Sequence, residues 1–162
     1  MQATRFSSTV ELMKLAEALA IRSDLQKKIA SLRQRIGKNA VVQEGSKPHE
    51  DPQKLLKEAF ASRKELRELV VKINAANATT TLADGRTLTE AIAEREELAE
   101  RHAILQTAIT HSHKEPDRYA VSEIRWIASY DVRKLQKQSE DLAKKVRTLN
   151  LQIQETNWET DL

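Results

Sequence analysis

LAEALAIRSDLQKKIASL (residues 15–32) and LTEAIAEREELAERHAIL (residues 88–105) are one pattern written twice. Sliding the chain by 73 positions lays Leu15 on Leu88, Glu17 on Glu90, Ala18 on Ala91, Arg22 on Arg95, Leu25 on Leu98 and Leu32 on Leu105. A slide of 80 positions does the same for a second pair of segments. Asp51 then meets Asp131, Lys54 meets Lys134, Leu55 meets Leu135, Leu69 meets Leu149, Ile73 meets Ile153, Asn77 meets Asn157 and Thr80 meets Thr160. Heptad spacing by itself aligns leucines, but it does not align acidic caps, a Glu and an Arg in the first turns, or an Asn near the end. The chain therefore reads as a duplicated helical hairpin. The second connection should be longer by 80 minus 73, or seven residues, with the extra length inside HSHKEPDRYAVSEIRWIASYD, residues 111–131.

Working outward, apolar residues recur at threes and fours in four stretches. The first runs from about Leu12 to Ile36 through Leu15, Ala18, Leu25, Ile29 and Leu32. The second opens at Asp51, an N-cap with Pro52 at the first helical position, and passes through Leu56, Ala59, Leu66, Val70 and Ile73 to about Ala78. Thr87 and Glu90 have capping-box spacing and open a third, with Leu88, Ala91, Leu98, Leu105 and Ile109. Asp131 opens the fourth, whose seam reads Val132, Leu135, Ser139, Leu142, Val146, Leu149 and Ile153.

Helices of roughly 25 residues, roughly 37 Å each, carrying one apolar stripe apiece, predict a mainly α fold. The expected architecture is an antiparallel four-helix bundle made of two duplicated hairpins. The sustained heptad of the fourth helix also permits a coiled-coil partner. In the connections, TTTLADGRTL (79–88) predicts a small β-hairpin around Asp84-Gly85. SEIRWIASY (122–130) is read as one short strand, although Val121, Ile124 and Ile127 have nearly as good a helical spacing. Residues 1–12 read as an N-terminal extension and 13–162 as a single helical-bundle domain, with 13–80 the first hairpin and 86–162 the second.

Composition agrees with this. Of 162 residues, 40% are apolar, 31% charged and only 4% aromatic, with three Gly, three Pro and no Cys. A sandwich or barrel needs many more turn residues. The absence of Cys excludes a disulfide framework, a thiolate nucleophile and a Cys-ligated metal. The 27 Lys and Arg interleave with 24 Asp and Glu for a net +3, which gives no strong nucleic-acid signal. The first twelve residues contain no signal-peptide core, and no apolar run approaches the ~18 residues of a membrane span, so a cytoplasmic location is expected.

Several polar residues fall on or beside the predicted seams. Arg22, Arg63 and Arg95 occupy buried-type positions, and a guanidinium there needs acidic partners, for which Glu17, Asp24, Glu90 and Glu97 are the nearest by type. Three readings follow: a structural ion-pair network that sets helix register, an anion or ligand site between the hairpins, or exposure at the bundle rim with the arginine stem laid over apolar surface. Asn77 and Asn157 end their helices, as C-caps or as part of that site. HSHKE, with His111, His113 and Glu115, has metal-ligand types, yet helical His pairs at i and i+4 or a distant third ligand are missing, so it reads as a solvated loop with no metal. No cofactor is expected. No Ser-His-Asp order, glycine-rich phosphate loop or paired-carboxylate motif stands out, so no catalytic residue is assigned and an enzyme is disfavoured. Arg133, Lys134, Lys137, Lys144, Lys145 and Arg147 could meet phosphates, but Glu140 and Asp141 interrupt them, and Trp126 and Trp158 read as packing anchors.

The segments MKLAEAL, VVQEG, EDP, TTTLADGRTLTEAIAER, DRYAVSEIRW, LQKQSEDLAKKV and IQETNWETDL resemble the small bacterial proteins labelled septicolysin, over nearly all of the chain from Met13 onward. The resemblance implies a helical fold and an upstream extension before Met13. It supplies no functional residue, and HSH is not part of its pattern. Its label implies a cytolysin, which fits poorly with a chain whose helices mix acids and bases on their polar faces. The function expected is therefore a non-enzymatic protein of self-assembly or partner binding. A membrane-active cytolysin and a weak nucleic-acid binder are the alternatives. Leu19, Ile21, Phe60 and Leu69 flank the main seams and predict a homo-oligomer, in the first instance a dimer.

Overall fold

The computed structural model describes residues 12–112 and 127–162. It contains four helices, α1 (Leu15–Lys38), α2 (Pro52–Thr79), α3 (Leu88–His111) and α4 (Val132–Glu159). Their bounds repeat at the sequence offsets: α1 and α3 are 24 residues each, α2 and α4 are 28 each, and the connection 112–131 exceeds 39–51 by the expected seven.

The capping bonds repeat as well. Asp51 Oδ1 accepts the Lys54 amide at 3.4 Å, and Asp131 Oδ1 accepts the Lys134 amide at 3.1 Å. Glu17 Oε2 accepts the Lys14 amide at 3.0 Å, and Glu90 Oε2 accepts the Thr87 amide at 2.8 Å. These carboxylates satisfy amides that the first helical turn leaves without intrahelical partners.

The chain divides into two compact units, one made of residues up to Thr80 joined by Thr156–Leu162, the other of Thr81–Glu155. In the first unit α1 packs on α2. The pair is antiparallel: Lys28 reaches Glu58 at 3.1 Å, whereas Arg35, further along α1, reaches back to Glu50. Leu15, Ala18, Leu25 and Leu32 of α1 are buried, as are Leu55, Ser62, Leu66, Leu69 and Ile73 of α2. The chain's end completes this unit. The Leu15 amide donates to Thr160 O at 2.9 Å, the Leu162 amide donates to Met13 O at 2.8 Å, and Lys14 Nζ lies 2.7 Å from Asp161 Oδ1.

In the second unit Leu88, Ala91 and Leu98 of α3 and Ser139, Leu142, Leu149 and Ile153 of α4 are buried. The polar contact across this hairpin is Gln106 Nε2 to Ser139 Oγ at 2.6 Å.

Several expectations need correction. No strand or sheet occurs among the described residues. Where the β-hairpin was expected, α2 runs on to Thr79 and α3 begins at Leu88, leaving room for one isolated bridge, Thr81 with Thr87, around a tight turn. In that turn the Leu82 amide donates to Arg86 O at 2.8 Å, and Gly85 adopts φ of 88°, a region open to glycine but strained for residues with a Cβ. Of the strand expected at 122–130, residues 122–126 lie outside the described residues, and Ile127–Tyr130 form none.

The α2 stripe is also shifted from the expected one. Ser62 is buried and Arg63 exposed, and Leu69 belongs to the core instead of an outer face. A one-residue step rotates a side chain by about 100°. Trp158 is 60% exposed and anchors nothing, because its neighbour Asn157 takes the buried face of α4; Trp126 lies outside the described residues.

Leu15 and Leu88 are equivalent and both fully buried, so truncating either to alanine should cost about 3 kcal/mol, as deletion of buried methyl groups does. Arg22 is half-buried and in no ion pair among the described residues; Arg22→Ala should cost less than about 1 kcal/mol. Urea denaturation of the three variants checks both statements.

Candidate functional site

The polar residues singled out above that the structure describes are each accounted for by their own helix or turn. Glu17 and Glu90 are exposed and serve as the helix-capping acceptors of α1 and α3. The hydrogen bonds from Thr87 hold the Glu90 carboxyl below its ordinary value. Arg95 is half-exposed and meets its sequence neighbour Glu96 at 3.1 Å instead of a seam carboxylate. Asn77 is half-buried and Asn157 buried, each inside the last turn of its helix. Neither is a C-cap. The cap of α2 is Thr80, whose amide donates to Ala76 O at 2.8 Å, and the Thr160 amide donates likewise to Thr156 O at 3.0 Å. Asparagine is favoured at a cap when the chain turns left-handed there, and here Thr80 continues in extended backbone.

His111 ends α3 with Nδ1 2.9 Å from Thr107 O, while His113 and Glu115 lie outside the described residues. Among the described residues no group of three or more His, Asp or Glu is placed to hold a metal ion.

Two ion-pair clusters close the turns of the fold. At the α1–α2 connection Arg35 Nε donates to Glu50 Oε1 and Oε2 at 3.1 and 3.0 Å, with Arg35 Nη2 on Oε1 as well. The buried Asn39 links the same groups: its Nδ2 donates to Arg35 O at 2.9 Å and its Oδ1 accepts the Glu50 amide at 3.0 Å. The guanidinium holds the Glu50 carboxyl below its ordinary value. In the 80–87 turn Arg86 bridges Asp84 and Glu94, and its guanidinium lowers the Asp84 carboxyl. Both arrangements bind their own chain. The missed sequence signal for the first was an opposite-charge pair flanking the connection, Arg35 before it and Glu50 at its end.

Two grooves of the second unit run between α3 and α4. One, of about 370 Å³, lies between Ala99 and His102 of α3 and Ala143, Val146, Arg147 and Asn150 of α4. Another, of about 390 Å³, lies between Ile104 and Leu105 on one side and Gln138 and Leu142 on the other, with Arg101 and Lys145 at its rim. Both are mostly apolar with a few polar groups at the edge, suited to a side chain from another molecule. Neither brings together a nucleophile, a base and a donor pair of the kind that acyl or phosphoryl transfer needs.

The basic residues of α4, Arg133, Lys134, Lys137, Lys144, Lys145 and Arg147, are all exposed. The larger charge contrast lies elsewhere. Helix α2 carries six Lys and Arg against three Glu, whereas α3 carries five Glu against two Arg. Large apolar side chains also stand in water on helix faces, with Phe60 70%, Leu151 68%, Val71 63%, Ile104 60% and Trp158 60% exposed. Of the four residues expected at an interface, Phe60 is exposed, Ile21 is 40% exposed, Leu19 is half-buried and Leu69 is core.

Comparisons with known proteins agree with the fold. The model of a family described as a family of unknown function, DUF6847, matches residues 22–162. A crystal structure of a functionally unknown conserved protein from Corynebacterium diphtheriae is 35% identical, with a TM-score of 0.88 over 94% of this chain and 99% of that one. No curated protein matches.

The Arg35–Glu50 pair should make the first hairpin acid-sensitive. Because the folded carboxyl is lowered from 4.5, its contribution is complete above that value and lost as the pH falls through the lowered one. Urea midpoints of the parent protein and Glu50→Gln should differ at pH 7 and converge once the pH falls below the lowered value of the Glu50 carboxyl.

Proposed function

Starting from the chain's membership of the DUF6847 family, we propose that it is a non-enzymatic helical assembly protein, a four-helix bundle of two duplicated hairpins that acts by binding a second copy through its helix faces. The repeat of helix bounds and capping bonds at offsets of 73 and 80 supports the duplicated design.

One observation carries the functional half: the outer faces of α2, α3 and α4 leave Phe60, Val71, Ile104 and Leu151 at 60% exposure or more. Single exposed apolar residues are ordinary, but several on helix faces turned away from the core mark surfaces that another protein covers. Closed two-fold pairs are the commonest way for one chain to cover such faces.

Membrane lysis, the alternative that came with the septicolysin resemblance, has no structural observation in its favour; no described helix is long and apolar enough to cross a membrane. The nucleic-acid alternative rests on the basic side chains of α2 and α4, which are equally suited to acidic protein surfaces.

Sedimentation velocity of the full chain at tens of micromolar should return a multiple of the 18.4 kDa protomer mass, and liposomes loaded with dye should stay intact at the same concentration. A monomer that leaves the liposomes intact overturns the assembly reading, and dye release would favour the lytic one.

A further inference from the structure

Two outward-facing stripes of this chain are complementary to one another in spacing, polarity and charge. On α2 the stripe is Phe60, Lys64, Arg67 and Val71, at steps of four, three and four; on α3, read backwards, it is Ile104, Glu100, Glu97 and Ala93, at the same steps. All eight side chains are exposed. At about 100° per residue each stripe spans about 60° of arc, on the side of its helix away from the buried residues, with Ile104 also at the edge of the α3–α4 groove. Laid antiparallel, the stripes put Phe60 against Ile104, Lys64 against Glu100, Arg67 against Glu97 and Val71 against Ala93. Two apolar contacts then bracket two ion pairs, the arrangement in which antiparallel helices match register by charge.

The groups are free to be used this way. Among the described residues Lys64 and Glu100 take part in no ion pair, Arg67 touches only its neighbour Glu68 at 3.7 Å, and Glu97 touches Arg101 one turn on at 3.3 Å. The duplication provides an internal control. At the positions equivalent to Phe60, Glu100 and Ile104 the other repeat has Glu140, Lys27 and Ser31, while Lys144, Arg147, Leu151, Ala20 and Asp24 keep the character of Lys64, Arg67, Val71, Ala93 and Glu97. The same antiparallel register in the other repeat would set Lys144 against Lys27 and Glu140 against Ser31, so the full match of charge and apolar contact belongs to the α2 and α3 stripes.

We infer that α2 of one copy packs antiparallel on α3 of a second copy, in this register, and that a two-fold pair makes the contact twice. This rests on the self-assembly reading above and specifies its interface. A two-fold axis requires that whatever one copy presents to its partner, the partner presents in return. Each copy carries one basic and one acidic stripe, so each can offer its partner the complement of what it receives.

The experiment uses two full-length charge-reversed variants, Lys64→Glu with Arg67→Glu, and Glu97→Lys with Glu100→Lys. Each opposes like charges in both contacts of its own pair, so each should self-associate about tenfold or more weakly than the parent protein in sedimentation equilibrium. Mixed in equal amounts, they restore opposite charges at both contacts and should re-form a pair of parental strength that weakens with added salt. All eight positions are exposed, and circular dichroism checks that the variants stay helical. If the parent protein is dimeric and the variants remain so, or the mixture fails to restore the pair, this interface is wrong while self-assembly stands. If the parent protein is monomeric at tens of micromolar, both are wrong; retardation of a DNA duplex that is lost in the Lys64 and Arg67 variant would then assign the basic stripe to nucleic acid.

Discussion

The amide of Leu162 donates to Met13 O and the amide of Leu82 donates to Arg86 O, both at 2.8 Å. These bonds are equivalent under the two offsets, and the rest of the architecture depends on what they do. Each returns the short segment that follows a long helix to the carbonyl two residues before a helix, Met13 ahead of α1 and Arg86 ahead of α3. In the first case the helix start lies 147 residues back in the chain, at Leu15, whose own amide bonds Thr160 O. The last residues are therefore part of the first unit, although in sequence they follow the second.

The hairpins themselves are held by narrow stripes. In α3 three residues are buried, Leu88, Ala91 and Leu98, and the remaining apolar positions of its seam are half-buried. A stripe of this width leaves much of the helix surface in solvent. Length compensates, because 24 to 28 residues per helix spread the contact over many turns. Polar residues enter the seams as small neutral groups that cost little to satisfy, Ser62 and Ser139, instead of as arginines that would need desolvated partners.

Charge does its work at the ends and on the outside. Arg35 with Glu50 and Arg86 with Asp84 and Glu94 secure the turns, where each guanidinium has a carboxylate within a few residues of a chain reversal. Along the helices the signs divide by element, α2 being basic and α3 acidic. The net charge of +3 conceals this division because the totals nearly cancel. Such an arrangement has little field at long range and considerable specificity at contact.

The sequence by itself determined the four helices, their order, the N-caps of α2, α3 and α4, the repeat at offsets of 73 and 80, and the longer second connection. Each is a local or periodic property: Asp51 and Asp131 cap their helices through their own side chains, and Leu15 and Leu88 recur because equivalent turns need equivalent apolar contacts. Only the tertiary structure decided which face of α2 is buried, since Leu55, Leu56, Leu69 and Val70 are adjacent apolar residues and a choice between them is a rotation of about 100° set by α1. It decided that Arg22, Arg63 and Arg95 stand at or near the surface, because long stems let guanidinium groups reach water from half-buried positions. It also decided that Asn77 and Asn157 sit inside their last turns, because the chain leaves Thr80 in extended backbone and the segment after Thr160 returns to Met13 to pair with it.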